Sequence, residues 1–155
     1  MRKNLSLLLL LILVLSCSSV QKNKVSMQKL IQGIEGTVIK LVGNQMPMID
    51  APKLQPIPVA LTVCIYDSTN LKDVNMPRHM SFFSEIRTKL ITTVQSDSTG
   101  YFSVALPEGK YSLFVKVKGK FYSNLFDEKN NIFLVTVEKN KLTKVEIKVS
   151  NEAVF

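Results

Sequence analysis

The sequence predicts an all-β domain, an antiparallel β-sandwich of about seven strands. Two patterns carry that expectation. Apolar residues recur with period two along short runs, and Gly, Pro, Asn or Asp turn chemistry closes the runs roughly every 8–12 residues. Composition supplies the third observation: 155 residues with 46% hydrophobic and 21% charged side chains have the balance of one globular domain.

Taken in order, Thr37, Ile39 and Leu41 alternate in the first strand candidate, and Val59, Leu61, Val63 and Ile65 share one face of the second. Leu90, Thr92 and Val94 mark a third. Phe102, Val104 and Leu106 alternate with Tyr101, Ser103 and Ala105, and Tyr111, Leu113, Val115 and Val117 oppose Ser112, Phe114, Lys116 and Lys118. Ile132 to Val137 is nearly continuous apolar sequence, as expected of a strand covered on both faces. Val145, Ile147 and Val149 point one way, with Lys144, Glu146 and Lys148 pointing the other. Asp97-Ser98-Thr99-Gly100 and Pro107-Glu108-Gly109 read as compact turns, and Val117–Lys120 and Glu138–Lys141 as tight hairpin connections. Two longer irregular stretches remain, Gly43 to Ile57 and Ser68 to Arg87, the second with a turn of helix expected around Ser81 to Ile86.

The first residues read as an address. Met1-Arg2-Lys3-Asn4 is basic, Leu5 to Leu15 is apolar apart from Ser6, and small residues follow. That is the layout of a secretory signal, and the run is about half of the ~20 residues a membrane span requires. Val14-Leu15-Ser16-Cys17 resembles the bacterial lipobox, which implies a signal peptide over 1–16, lipid attachment at Cys17, a polar tether over 17–32 and a folded domain over 33–155. Removing Arg2 and Lys3 lowers the formal charge from +8 to +6. The acyl chains anchor the protein without help from that charge.

The inventory of reactive groups is short. One His and two Cys are too few for a Cys/His metal site, so neither a metal nor a cofactor is expected. With Cys17 lipidated, Cys64 is left alone in an apolar strand and reads as a buried small hydrophobe. His79 lies between Met76 and Met80 in a turn-rich loop, a combination that also suits Cu(I), though adaptable packing is by far the more common reason for methionines under loops. Asp127–Asn131 offers oxygen ligands, but Lys129 and the missing glycine disfavour calcium. There is no arginine cluster or glycine-rich phosphate loop for a nucleic acid. No convincing pair of carboxylates serves a glycosidase.

The stretch DSTGYFSVALPEGKYSLFV, residues 97–115, resembles the hallmark of carboxypeptidase regulatory-like domains, which are transthyretin-like sandwiches. GIEGTVIKLVGNQMP at the start and VTVEKNKLTKVEIKV near the end are similar to that family's opening and closing strands. The combination of FFSEIRTKL, GKYSLFVK, NLFDEKNNIFLVTV and a C-terminal EAVF resembles small lipoproteins of Bacteroidota-type bacteria that carry this domain. In larger proteins such domains are accessory modules, so the resemblance implies a non-enzymatic role. Hydrolases of 5-hydroxyisourate on a related fold use several His and Arg and a distinctive Tyr-Arg-Gly-Ser end, whereas this chain ends Asn-Glu-Ala-Val-Phe.

The expected function is therefore a membrane-anchored module that binds or scaffolds another cell-envelope protein. The alternative is a binder of a small molecule, glycan or metal. Phe82, Phe83, Arg87 and Tyr122 are the candidate partner surface, with Phe121 and Phe126 nearby; the same rings could instead form a lid on the core. No acid follows Cys17 before Glu35, which by analogy with lipoprotein sorting implies an outer-membrane anchor facing the periplasm.

Overall fold

The computed structural model describes residues 31–47, 54–75 and 81–155; the signal peptide, Cys17, most of the tether, Met48, Met76, His79 and Met80 lie outside them. In the described residues the protein is all-β, with two main sheets sharing a core.

The first sheet is built around β1 (Gly33–Asn44). On one edge β1 pairs with β12 (Leu142–Val154); on the other it pairs with β8 (Tyr101–Ala105) and then β2 (Ile57–Pro58). The β1–β12 pair is parallel, which corrects the expectation of a purely antiparallel arrangement. The turn at Glu138–Lys141 explains how. It was expected to close a hairpin, but β11 (Leu134–Val137) pairs with β9 (Gly109–Val117) in the other sheet. The turn is thus a corner between sheets, and it delivers β12 alongside β1 in the same direction.

The second sheet runs β5 (Phe82–Phe83), β10 (Lys120–Tyr122), β9, β3 (Thr62–Asp67), β7 (Leu90–Gln95), with β11 beside β10 along the same edge of β9. Lys118 and Gly119 at φ 49° and 78° form the two-residue β9–β10 hairpin, as expected.

Ile34 and Val38 of β1, Phe102 of β8 and Ile147 and Val149 of β12 face Val63 and Ile65 of β3, Leu113 and Val115 of β9 and Val135 and Val137 of β11. This reverses the expected face of β1. Thr37 and Ile39 are only half-buried, because apolar residues occupy both parities of that strand and Ile34 and Val38 take the core side.

A second apolar cluster lies on the opposite face of the second sheet. Cys64 and Tyr66 of β3 and Phe114 of β9 are covered by Val74 of β4 (Val74–Asn75), by Phe83 and by Ile132. Of the segment expected to be irregular, 68–87, the described residues 68–75 and 81–87 form a cover. Its helical turn lies at Leu71–Asp73, and Phe82–Phe83 and the residues of β6 (Glu85–Ile86) are extended, pairing with β10 and β4. Asn70 caps the turn and exchanges hydrogen bonds with Asp73. Thr69, fully buried, donates its amide to Ser112 Oγ at 2.9 Å and accepts the amide of Ile132 at 2.8 Å, which ties the cover to β9 and to the approach of β11. The apolar run at 132–137 serves both clusters: Ile132 enters the outer one, and the chain turns at Phe133 (φ 37°) to send Val135 and Val137 to the other.

The 97–115 stretch behaves as its residues require. Asp97 Oδ1 accepts from the Thr99 amide, Thr99 Oγ1 and the Tyr101 amide at 2.8, 2.6 and 3.0 Å, and these bonds hold its carboxyl below the usual range. Tyr111 Oη donates to the Pro107 carbonyl at 3.0 Å while its ring is buried. Gly100 sits at φ 78° and accepts the Val38 amide on its carbonyl; a Cβ there would lie 2.3 Å from Val38 O. Gly100→Ala is therefore expected to cost more than about 1 kcal/mol, through both the left-handed backbone and the clash. Denaturant unfolding would show the midpoint falling with the slope unchanged.

Candidate functional site

The four residues expected to meet a partner do come together, but largely inside. Phe82 faces Tyr122 across the β5–β10 ladder with ring centroids 5.1 Å apart, and Phe83 stands opposite Phe121. Phe83 is fully buried and packs edge-on against Phe114 at 5.6 Å. Tyr122 is 2% exposed and uses its hydroxyl to accept the Ser150 amide at 3.0 Å. Phe82 is half-buried against the inter-sheet core. Arg87 is exposed, but its guanidinium donates to the Val74 carbonyl at 3.4 Å, which ties the end of the cover to β4. Phe83 and Tyr122 thus form core rather than contact surface: Phe83 covers Phe114 on the outer face of β9, and Tyr122 packs in the core between the two sheets.

Phe126 is exposed, whereas Cys64 and Asp127 resolve as structural residues. Cys64 is 1% exposed, and burial pushes its thiol above the ordinary range, with Lys116 pulling weakly the other way. A thiol so placed is a poor nucleophile. Asp127 accepts from the Lys129 amide, the Asn131 amide and Asn131 Nδ2 at 2.8–2.9 Å, which depresses its carboxyl and commits both oxygens to its own loop. Among the described residues, no three His, Cys, Asp or Glu side chains are grouped to hold a metal ion.

The most site-like feature lies at one end of the sandwich. A bulge interrupts β12 between Val149, opposite Lys40, and Glu152, opposite Val42, so that Ser150 and Asn151 together oppose Leu41. The bulge presents Asn151 and Glu152 to an open groove of about 470 Å³ between the β2–β3 connection and the β9–β10 hairpin. Val59, Leu61, Val117 and Val149 contribute its apolar lining. Lys40 Nζ lies 2.7 Å from one carboxylate oxygen of Glu152, and Lys118 Nζ lies 3.6 Å from the other. Lys40 first, and Lys118 less, hold the Glu152 carboxyl below its usual range. Asn151 Oδ1 is buried and has no hydrogen-bond partner. The groove therefore combines an apolar lining, a rim of two cations and one anion, and an unused acceptor.

Large apolar side chains gather near this end. Ile57 pairs opposite Lys40, Val154 opposite Asn44, and Leu54 lies against Gly43. Ile57, Leu54 and Val154 are 47%, 44% and 58% exposed, and Met46 and Phe155 are exposed as well. Sequence reasoning missed this site because its parts are scattered over more than a hundred residues and meet only through the parallel β1–β12 pair. The one available signal was Ser150-Asn151, two polar residues that interrupt the β12 alternation.

The fold is all-β with two main sheets, and an open groove lies at one end. Compared with known proteins, the chain matches no family model, no curated protein and no solved structure.

Phe83→Ala is expected to cost about 3–5 kcal/mol, as for a buried aromatic ring, whereas Leu125→Ala, at an exposed position, should stay within about 0.5 kcal/mol. Chemical denaturation of the two variants checks this. In a Cys17→Ser chain, Cys64 should resist thiol reagents until denaturant unfolds the domain, and fast labelling under native conditions would contradict its burial.

Proposed function

We propose that this chain is a lipid-anchored β-sandwich module of the cell envelope that binds another envelope protein. The observation that carries the reading is the sandwich end, where exposed Ile57, Leu54 and Val154 lie near a groove edged by Lys40, Lys118 and Glu152. An apolar centre with a charged rim is the anatomy of a protein interface. Scattered single apolar residues would carry no such meaning, but a group at one end does. The resemblance to carboxypeptidase regulatory-like domains supports an accessory, non-enzymatic role, and the transthyretin-like assignment rests on the same residues 97–115. Lipidation at Cys17 and an outer-membrane, periplasm-facing position rest on the lipobox resemblance and the residues that follow it.

In cells making the full chain, crosslinking is expected to recover one dominant envelope protein. Ile57→Glu should remove that product while leaving the thermal midpoint within a few degrees, since Ile57 is exposed. Recovery of no specific partner, or of the same partner from Ile57→Glu, would count against the reading. Cys17→Ser should abolish incorporation of labelled fatty acid and release the chain from the membrane fraction.

A second reading is favoured by Asn151 Oδ1 alone: a small amphipathic ligand that donates a hydrogen bond to this orphaned acceptor. Such a ligand would raise the melting temperature by mass action, and Asn151→Ala would abolish the shift.

A further inference from the structure

The edge of β12 that faces away from β1 is open. Gly33 N donates to Lys141 O at 3.1 Å, so β1 turns its odd-numbered peptide groups toward β12. Val38, on the even parity, spends its N–H and C=O on Gly100 and Val59 at the other edge. Because backbone groups alternate along a parallel pair, β12 gives its odd-numbered residues to β1. The N–H and C=O groups of Leu142, Lys144, Glu146 and Lys148 point outward, and among the described residues no backbone or side-chain group hydrogen-bonds to them. The open run stops at Ser150, whose amide is already donated to Tyr122 Oη.

The charges along this edge are self-complementary. Lys144, Glu146 and Lys148 stand on the solvent side of the sheet with side chains 84%, 50% and 55% exposed. Native edge strands are commonly blunted by lysines, which repel a second copy. Here Glu146 sits between two lysines and supplies the matching charge. We propose that β12 pairs antiparallel with β12 of a second copy of this chain about a two-fold axis at Val145. In that register Leu142 meets Lys148, Lys144 meets Glu146, and Val145 meets its own copy, so every outward backbone group of the open run finds a partner. Neighbouring registers fail. An axis at Glu146 or Lys148 opposes like charges, which destabilises a pair, and an axis at Ile147 needs the Ser150 amide that Tyr122 holds.

Sedimentation equilibrium of the full chain in density-matched detergent micelles tests this. The wild-type chain is expected to dimerise. Glu146→Lys should weaken the dimer by about tenfold or more, since two facing pairs become repulsive, with the circular-dichroism spectrum and melting temperature retained. The Lys144→Glu/Glu146→Lys double swap should restore it. A monomeric wild-type chain, or a Glu146→Lys chain that dimerises as well as wild type, overturns the proposal. Failure of the double swap to restore the dimer overturns the Val145 register.

Discussion

Phe114 projects from β9 away from the inter-sheet core, between Leu113 and Val115, which project into it. A strand apolar on both sides cannot stand at the surface of a two-layer sandwich, because each exposed large side chain forgoes roughly 1.5–3 kcal/mol of burial. Something must cover the outer face, and residues 68–75 and 81–87 between β3 and β7 do so. Thr69 fixes one end of that cover to Ser112 on β9, and Arg87 closes the other end back onto the cover's own start, through its amide on the Asp73 carbonyl and its guanidinium on the Val74 carbonyl. Tyr66, Phe83 and Phe121 then pack around Phe114 with edge-to-face geometry, at centroid separations of 5.6–6.4 Å. The sandwich is thus three layers deep over β3 and β9.

That constraint decides which aromatic residues are free for a partner. Phe82, Phe83, Phe121 and Tyr122 come together because β5 adds to β10, and they divide between the two apolar clusters: Phe83 and Phe121 under the cover, Phe82 and Tyr122 in the core between the sheets. Of the exposed large apolar side chains, Leu54, Ile57 and Val154 gather at the far end of the β1–β12 pair. The bulge at Ser150 and Asn151 opens a groove there and brings Glu152 between Lys40 and Lys118. These ion pairs are exposed, so they shape the rim and add little stability. The depressed Glu152 carboxyl makes their contribution present above the unfolded carboxylate range and lost as pH falls through the folded value. Salt weakens it further.

Much of the fold was legible because period-two runs and turn residues report locally. The β9–β10 hairpin and the Asp97–Gly100 turn each follow from residues a few positions apart. The parallel β1–β12 pair was not legible, since Glu138–Lys141 has the composition of a hairpin whether it joins neighbours or crosses between sheets. The parity of β1 was ambiguous for a similar reason: Ile34 and Val38 compete with Ile39 and Leu41, and only the facing sheet decides. Phe82-Phe83 read equally as surface or as lid until the ladder to β10 placed them. The groove was invisible in sequence because no short motif holds its residues.

Native-state hydrogen exchange tests most directly whether the cover formed by residues 68–75 and 81–87 is a fixed layer of the core. The amides of Ile132, bonded to Thr69, and Arg87, bonded to Asp73, report the two ends of the cover. The structure predicts that both open with free energies close to those of Leu113 and Val115 in β9, as one cooperative unit. Near-unprotected exchange at Ile132 and Arg87, with β9 still protected, would show that the cover detaches and that Phe83 and Phe114 are available to a partner after all.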